Sequence, residues 1–408
     1  GNLTNQKRCF SKDVDGTEVW DYESKDASWI VARSDRMWLE CQRGIVPNEI
    51  FRVLMKDERR KKNKKGRIFF GCAMSLLIVV RRAFGSLQSY LNKKGFRSGT
   101  MIGENPYNDC QSLYEYLQFN NGGEQMIDGD FKHFDRDIHP NLIVMFKYLC
   151  RAYYVGASIE DIRAREALLH CFASANVMLP WKVEGAIHYL ICSIIGINPS
   201  GQPCTTHINC FVNKIIITAA MYSQLSLIKD ETMEDYAQLP HQVSLLSKVV
   251  AQTRVVVLGD DNIINTGKMP VTMAGLAIEL SKLGFTYTPA DKTSEHYTTK
   301  HIDQCSIVGR SFRFDSKKKI RVMVLRWESI VDMVCWLRKK SPELFPEKTA
   351  VETVARELCL YGEEIYTENI ERLIYKYQIS CGELPAPELL SWNATFDHVT
   401  TSNEEWYF

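Results

Sequence analysis

RVVVLGDDNIIN, residues 254–265, closes one apolar run on Gly259-Asp260-Asp261-Asn262 and opens another. An acidic β-hairpin tip is written this way, and it projects two carboxylates from one turn. A bare Gly-Asp-Asp turns up by chance in roughly one chain in ten of this length. An isolated acidic tip is ordinarily just solvated, so its surroundings must decide the reading.

A second acidic group lies upstream in QMIDGDFKHFDRD, residues 125–137. There a β-like run meets Asp130, and Asp135 follows near a helix start, so a strand end and a helix start aim two carboxylates at one cleft. The bland alternative makes Asp135 or Asp137 a helix cap and leaves Asp130 exposed, with Asp128 an acid of the same solvated kind. The third group is NPSGQPCTTHINCFVN, residues 198–213, a Gly-Pro loop running into a helix. Thr205, Asn209 and Asn213 recur every four residues and share one polar face of an otherwise apolar segment. Such a stripe needs a ligand or a buried hydrogen-bond network. The fourth is KDERRKKNKKGR, residues 56–67, with eight basic residues in twelve. That density attracts phosphate, although a lone basic run also serves as a nuclear-localisation tract or a solvated loop.

The 408 residues are 45% hydrophobic, enough for a large core split into two or three subdomains. With 50 Lys and Arg against 49 Asp and Glu, attraction to nucleic acid has to be local. The 13 cysteines include no Cys-x-x-Cys pair, which argues against a zinc ribbon and for reduced thiols in a cytosolic setting. Apolar stretches around Cys72 to Val80 and Ile187 to Ile197 are shorter than the ~20 residues that span a bilayer. The polar first thirty residues carry no signal-peptide core, so the sequons at Asn2 and Asn393 read as unused. Helix-like segments (Ile78 to Asn92, Leu142 to Tyr153, Ile208 to Gln224) alternate with β-rich runs (Gln125 to Phe131, Arg254 to Leu258, Asp303 to Phe314), an α+β pattern. From Val322 onward the pattern reads as nearly all helical.

Taken in order, these pieces resemble the motifs of viral RNA-dependent RNA polymerases of the picorna-like group. The basic run resembles motif F, Asp130 with Asp135 motif A, Ser200-Gly201 with Thr205 and Asn209 motif B, and Gly259-Asp260-Asp261 motif C. Gly284-FTYTPADKT resembles motif D with Lys292 at its lysine, and Ile307-VGRSF resembles motif E. Arg82-AFG, Met101-IGENP and, more loosely, Leu358-CLYGEEIY are similar to family sequence as well. Three departures stand out. Leu258 replaces the usual Tyr before motif C, Gly309 replaces the Lys before Arg310, and the Thr-Ser-x-Gly-Tyr-Pro segment ahead of motif F is absent, which implies a missing N-terminal fingers region.

The resemblance implies a right-hand palm polymerase, with fingers over 1–122 and 171–198, palm over 123–170 and 199–321, and a helical thumb over 322–408. It implies that Asp130 and Asp260, assisted by Asp261, hold two Mg2+ ions, with Mn2+ as a substitute, and that Lys292 gives a proton to pyrophosphate. Asp135, Thr205 and Asn209 are then the readers of the ribose 2′-hydroxyl. Ser200 and Gly201 lie against template or nucleotide, and Arg67, Lys56 and Lys64 neutralise the triphosphate. Arg310 falls at the primer-strand contact. RNA template and primer, ribonucleoside triphosphates and a genome-linked protein primer are the implied partners, in replication complexes of the host cytoplasm. A reverse transcriptase shares the paired aspartates but blocks the 2′-hydroxyl with a bulky aromatic, against which Asp135 and Asn209 speak. A non-catalytic RNA-binding protein leaves the aspartates unexplained.

Overall fold

The structure, a computed structural model, describes residues 11–14, 17–21, 24–58, 65–120, 123–227, 241–292, 297–337, 345–382 and 384–401. In chain order its elements begin with β1 (Ser11–Val14), β2 (Thr17–Trp20), α1 (Lys25–Gln42), β3 (Ile50–Met55), β4 (Ile68–Gly71) and α2 (Met74–Lys94). Next come α3 (Cys110–Leu117), β5 (Met126–Lys132), the single turn α4 (Phe134–Asp137), α5 (Pro140–Tyr153), α6 (Ile159–Ala173), β6 (Ser174–Val183), β7 (Ala186–Ile195) and α7 (Thr205–Ser226). The remainder is α8 (His241–Gln252), β8 (Arg254–Leu258), β9 (Asp261–Asn265), α9 (Met273–Lys282), β10 (Thr286–Pro289), β11 (Ser306–Ile307), β12 (Arg310–Asp315) and β13 (Ile320–Leu325), then α10 (Trp327–Cys335), α11 (Pro346–Cys359), α12 (Glu363–Cys381) and α13 (Trp392–Thr401). The chain forms two compact units, Gly1–Lys93 with His133–Val212, and Lys94–Lys132 with Asn213–Phe408.

In the first unit a four-stranded sheet runs β4-β3-β6-β7, with β3 parallel to β6 and the other pairs antiparallel. Its edge is the long β6–β7 hairpin, ten residue pairs from Ser174↔Ile195 to Val183↔Ala186. The apolar stretch from Ile187, too short for a bilayer, is therefore mostly strand. Helix α1 starts at a Ser24 cap, whose side chain accepts from the Ala27 N–H at 3.1 Å, and buries Ala27, Ile30, Met37, Trp38 and Cys41 along one stripe. Phe146 of α5 meets Phe84 of α2 and Phe211 of α7 edge-on, which anchors the start of α7.

The second unit is built on the antiparallel sheet β10-β5-β9-β8. Ile127, Val256, Ile263 and Ile264 are all fully buried at its centre. Asp128 is not the solvated acid its neighbourhood suggested. Its carboxylate is buried, 2.6 Å from Lys300 Nζ, and accepts from the Ser306 N–H at 2.7 Å and from the Tyr297 hydroxyl. An acid can lie this deep only because each oxygen has a partner. Gly129 faces the Tyr287 ring, where a Cβ would stand 2.0 Å away, so the ring packs directly against bare backbone.

A smaller sheet, β11-β12-β13, precedes the C-terminal helices. Here the all-helical reading from Val322 is corrected. Residues 320–325 pair along β12 from Asp315↔Ile320 to Arg310↔Leu325, and helices begin at Trp327. Val322, Ile330, Val354, Leu358, Tyr366, Trp392 and Phe396 form the buried core of that region.

Candidate active site

Strands β8 and β9 pair through Leu258↔Asp261, leaving Gly259 and Asp260 as the two turn residues. Gly259 has φ +65 and Asp260 does not enter the positive region, the pattern of a type II′ turn whose first position favours glycine. The turn is gripped from behind. Asn213 Nδ2 on α7 lies 3.0, 3.1 and 3.3 Å from the carbonyl oxygens of Gly259, Asp260 and Asp261. Asn213 Oδ1 accepts from Asn262 Nδ2 at 3.4 Å, and Asn262 Oδ1 accepts from the Tyr287 hydroxyl at 2.6 Å. Both amides are fully buried. Burial holds the Tyr287 phenol well above its usual range, so it stays a neutral donor.

Asp130, on β5 opposite Thr288 of β10, presents Oδ2 3.1 Å from Lys292 Nζ. Lys292 reaches it from a left-handed conformation, φ +62, closed by its own N–H on the Pro289 carbonyl at 2.9 Å. A non-glycine residue in that region is uncommon, and here it turns the lysine back toward the carboxylate. The Asp261 carboxyl is pushed up to about 7, first by burial and then by the charges of Asp260 and Asp130, with Lys292 and Arg326 pulling the other way. The three carboxylates thus share one field and repel one another, which a cation relieves. Among the described residues no three acidic, His or Cys side chains form a ready-made metal cage.

In the first unit the Asp135 carboxylate accepts from Asn209 Nδ2 at 2.5 Å. Burial raises its pKa, while the Asn209 bond and the charges of Lys56 and Arg67 lower it. Lys56 and Arg67 are tied across the β3–β4 hairpin by the Lys56 N–H on the Arg67 carbonyl, 2.9 Å. Arg67 is largely exposed, 3.4 Å from Glu58. Lys64 and the rest of the basic run over 59–64 lie outside the described residues. The Ser200 carbonyl accepts from the Phe70 N–H of β4 at 2.6 Å. At Gly201, φ +117, a Cβ would meet the Phe70 carbonyl oxygen at 2.1 Å, so backbone crowding requires glycine. Thr205 Oγ1 lies 3.0 and 2.8 Å from the Pro199 and Gln202 carbonyls, so its proton is spent inside the loop.

Arg310, expected at the primer-strand contact, is turned inward. It is buried, its guanidinium bonded to both oxygens of Glu357 at 3.0 and 2.6 Å and to the Met323 carbonyl at 3.1 Å. Val308 (φ +53) and Gly309 (φ +73) are both left-handed, as in a two-residue I′ turn. Glycine immediately before Arg310 is thus accounted for by the hairpin. The functional residues that sequence reasoning passed over are Asn262, Tyr287 and Arg326, together with Asn213, seen on the polar face but given no role. Asparagines inside the apolar strand Asp261–Asn265 were the available signal.

A family model described as viral RNA-dependent RNA polymerase matches residues 13–381. The chain belongs to that family. The replicase polyprotein of Acute bee paralysis virus (strain Rothamsted) is 26% identical over 345 residues, 81% of this chain and 17% of the polyprotein. That of Drosophila C virus (strain EB) is 24% identical over 389 residues, 92% of this chain and 21% of the polyprotein. The chain thus spans about a fifth of those relatives' length. The solved Sicinivirus 3Dpol RNA dependent RNA polymerase superposes with a TM-score of 0.70 at 16% identity, covering 97% of this chain and 74% of that one. The fold is therefore the α+β right-hand polymerase fold. No described helix is long and apolar enough to cross a membrane.

Proposed function

We propose that this chain is an RNA-directed RNA polymerase of a positive-strand virus, extending an RNA primer on an RNA template from ribonucleoside triphosphates. The observation that carries this reading is the carboxylate group on one sheet, Asp130 on β5 and Asp260 and Asp261 at the β8–β9 tip, where the charges of Asp260 and Asp130 add to burial in raising Asp261. Asp130 and Asp260, with Asp261, would hold two divalent ions, Mg2+ with Mn2+ as substitute. Such ions lower the pKa of a 3′-hydroxyl and take up charge on departing pyrophosphate oxygens. In the reaction the primer 3′-hydroxyl would release its proton to solvent, its oxygen would bond to the α-phosphorus as the bond to pyrophosphate breaks, and Lys292 would give the leaving group a proton. Lys56 and Arg67 offset triphosphate charge, and Ser200-Gly201 shape the loop beside the nucleotide.

Fingers over 1–122 and 171–198, palm over 123–170 and 199–321 and thumb over 322–408 belong to the same reading. So do a genome-linked protein primer and replication complexes in the host cytoplasm, which rest on the resemblance alone.

Sugar choice separates this reading from a reverse transcriptase. A polar Asp135–Asn209 pair, rather than a bulky aromatic, suits a 2′-hydroxyl that both donates and accepts. A deoxynucleotide leaves those groups unpaired at about 1–3 kcal/mol each, a ten- to hundredfold preference for ribose. Asn209→Ala is expected to slow ribonucleotide incorporation, change deoxynucleotide incorporation far less, and bring the ratio of specificity constants toward one. Equal losses for both sugars would make Asn209 a structural residue of α7 and remove the 2′-hydroxyl assignment.

A further inference from the structure

We infer that Asn198 and Gln202 are positioning residues for sugar selection, forming with Asn209 a one-way chain of amides that presents the Asn209 NH2 group to Asp135. The inference rests on the sugar-reading role proposed for Asn209 and extends it to two residues that touch no nucleotide in that reading.

An amide side chain can sit either way round unless a partner of fixed polarity decides it. At one end of this chain the Cys204 backbone N–H, which can only donate, bonds Gln202 Oε1 at 2.6 Å. That fixes the Gln202 NH2, which donates to Asn198 Oδ1 at 3.2 Å. The Asn198 NH2 in turn donates to Asn209 Oδ1 at 2.7 Å and to the Thr205 carbonyl, which can only accept, at 3.2 Å. Asn209 is left with its NH2 on Asp135 Oδ1 at 2.5 Å, and an ionised carboxylate can only accept. Both ends therefore impose the same direction.

Turning any one amide over would set donor against donor or acceptor against acceptor at its neighbours. Asn198 is fully buried and Gln202 and Asn209 nearly so, leaving little water to repair the mismatch. The Asn198 backbone N–H also bonds the Asp135 carbonyl at 3.2 Å, so Asp135 is tied to the chain at its backbone by Asn198 and at its carboxylate by Asn209. Without the chain, Asp135 alone sets the sense of the Asn209 amide, and the amide loses the bond on its oxygen that fixes where its NH2 sits. A 2′-hydroxyl would then meet a donor that is no longer held in one place.

Two near-isosteric variants separate this from a role in loop packing. Asn198→Asp keeps the shape and the acceptor for Gln202 but cannot donate to Asn209, and it competes with Asp135 for the Asn209 NH2. Gln202→Glu keeps the acceptor for Cys204 and loses the donor to Asn198. Gln202→Met removes both ends without a buried charge, in case a carboxylate prevents folding. Each is assayed beside wild type and Asn209→Ala for the specificity constants of one ribonucleotide and its 2′-deoxy analogue, on one RNA primer-template at fixed Mg2+, with melting temperature recorded. The expected result is a fall of roughly tenfold in the ribose-to-deoxyribose ratio, carried by the ribonucleotide. If the ratio collapses in Asn209→Ala but holds in these variants, Asn198 and Gln202 only pack the loop, and the inference is overturned while the sugar reading stands. If Asn209→Ala itself leaves the ratio unchanged, the sugar reading and the inference built on it both fail.

Discussion

Asp260→Asn is expected to reduce nucleotide incorporation on the order of 10³-fold or more, since a catalytic divalent ion contributes several kcal/mol of transition-state stabilisation. The side chain is exposed at the hairpin tip, and the turn is held through backbone carbonyls on Asn213. Asparagine therefore fits without disturbing the turn, and melting temperature should change little. RNA affinity should also hold, because binding to phosphate depends on basic residues elsewhere. Removing the Asp260 charge takes away one of the repulsions that raise Asp261, whose carboxyl should titrate lower in the variant. Single-turnover incorporation and filter binding at one salt concentration separate the two effects. Near-normal turnover would remove Asp260 from the chemistry.

Glu357→Ala carries the largest expected loss of stability. The Arg310–Glu357 pair is buried on both sides, and Glu357 Oε1 also accepts from the Tyr107 hydroxyl at 2.6 Å. Truncation leaves the Arg310 charge buried with only the Met323 carbonyl and Tyr107 as neighbours, and breaking a buried pair in this way costs about 3–5 kcal/mol. A shift of the urea midpoint at constant slope measures it. The same pair favours a structural role for Arg310. Arg310→Lys should destabilise the protein yet leave the salt dependence of RNA binding unchanged, whereas loss of a phosphate contact lowers that slope by about one.

The hairpin at 254–265 was legible because its signal is local, two apolar runs broken by a turn whose glycine has to adopt positive φ. The polar face of Thr205, Asn209 and Asn213 was legible as a stripe, but its two outcomes were not. Asn209 reaches a carboxylate 74 residues away, and Asn213 holds a turn 46 to 48 residues away. Arg310 was misassigned for the same reason. Its partner lies 47 residues further along, and no short-range pattern marks a buried pair. Asp128 looked solvated beside other acids because Lys300 and Tyr297 are remote in sequence. In Ile320–Leu325 the run is short and apolar, so its period does not distinguish a strand from the first turn of a helix.

The central claim is that Asp130, Asp260 and Asp261 form a metal-dependent centre for RNA synthesis on an RNA template. The most direct measurement is extension of a labelled RNA primer on a defined RNA template by the purified chain, with and without Mg2+, for wild type and Asp260→Asn in parallel. The predicted result is template-matched addition of ribonucleotides by wild type only, abolished by chelation. Equal extension by the variant, or extension that survives removal of divalent ions, would contradict it.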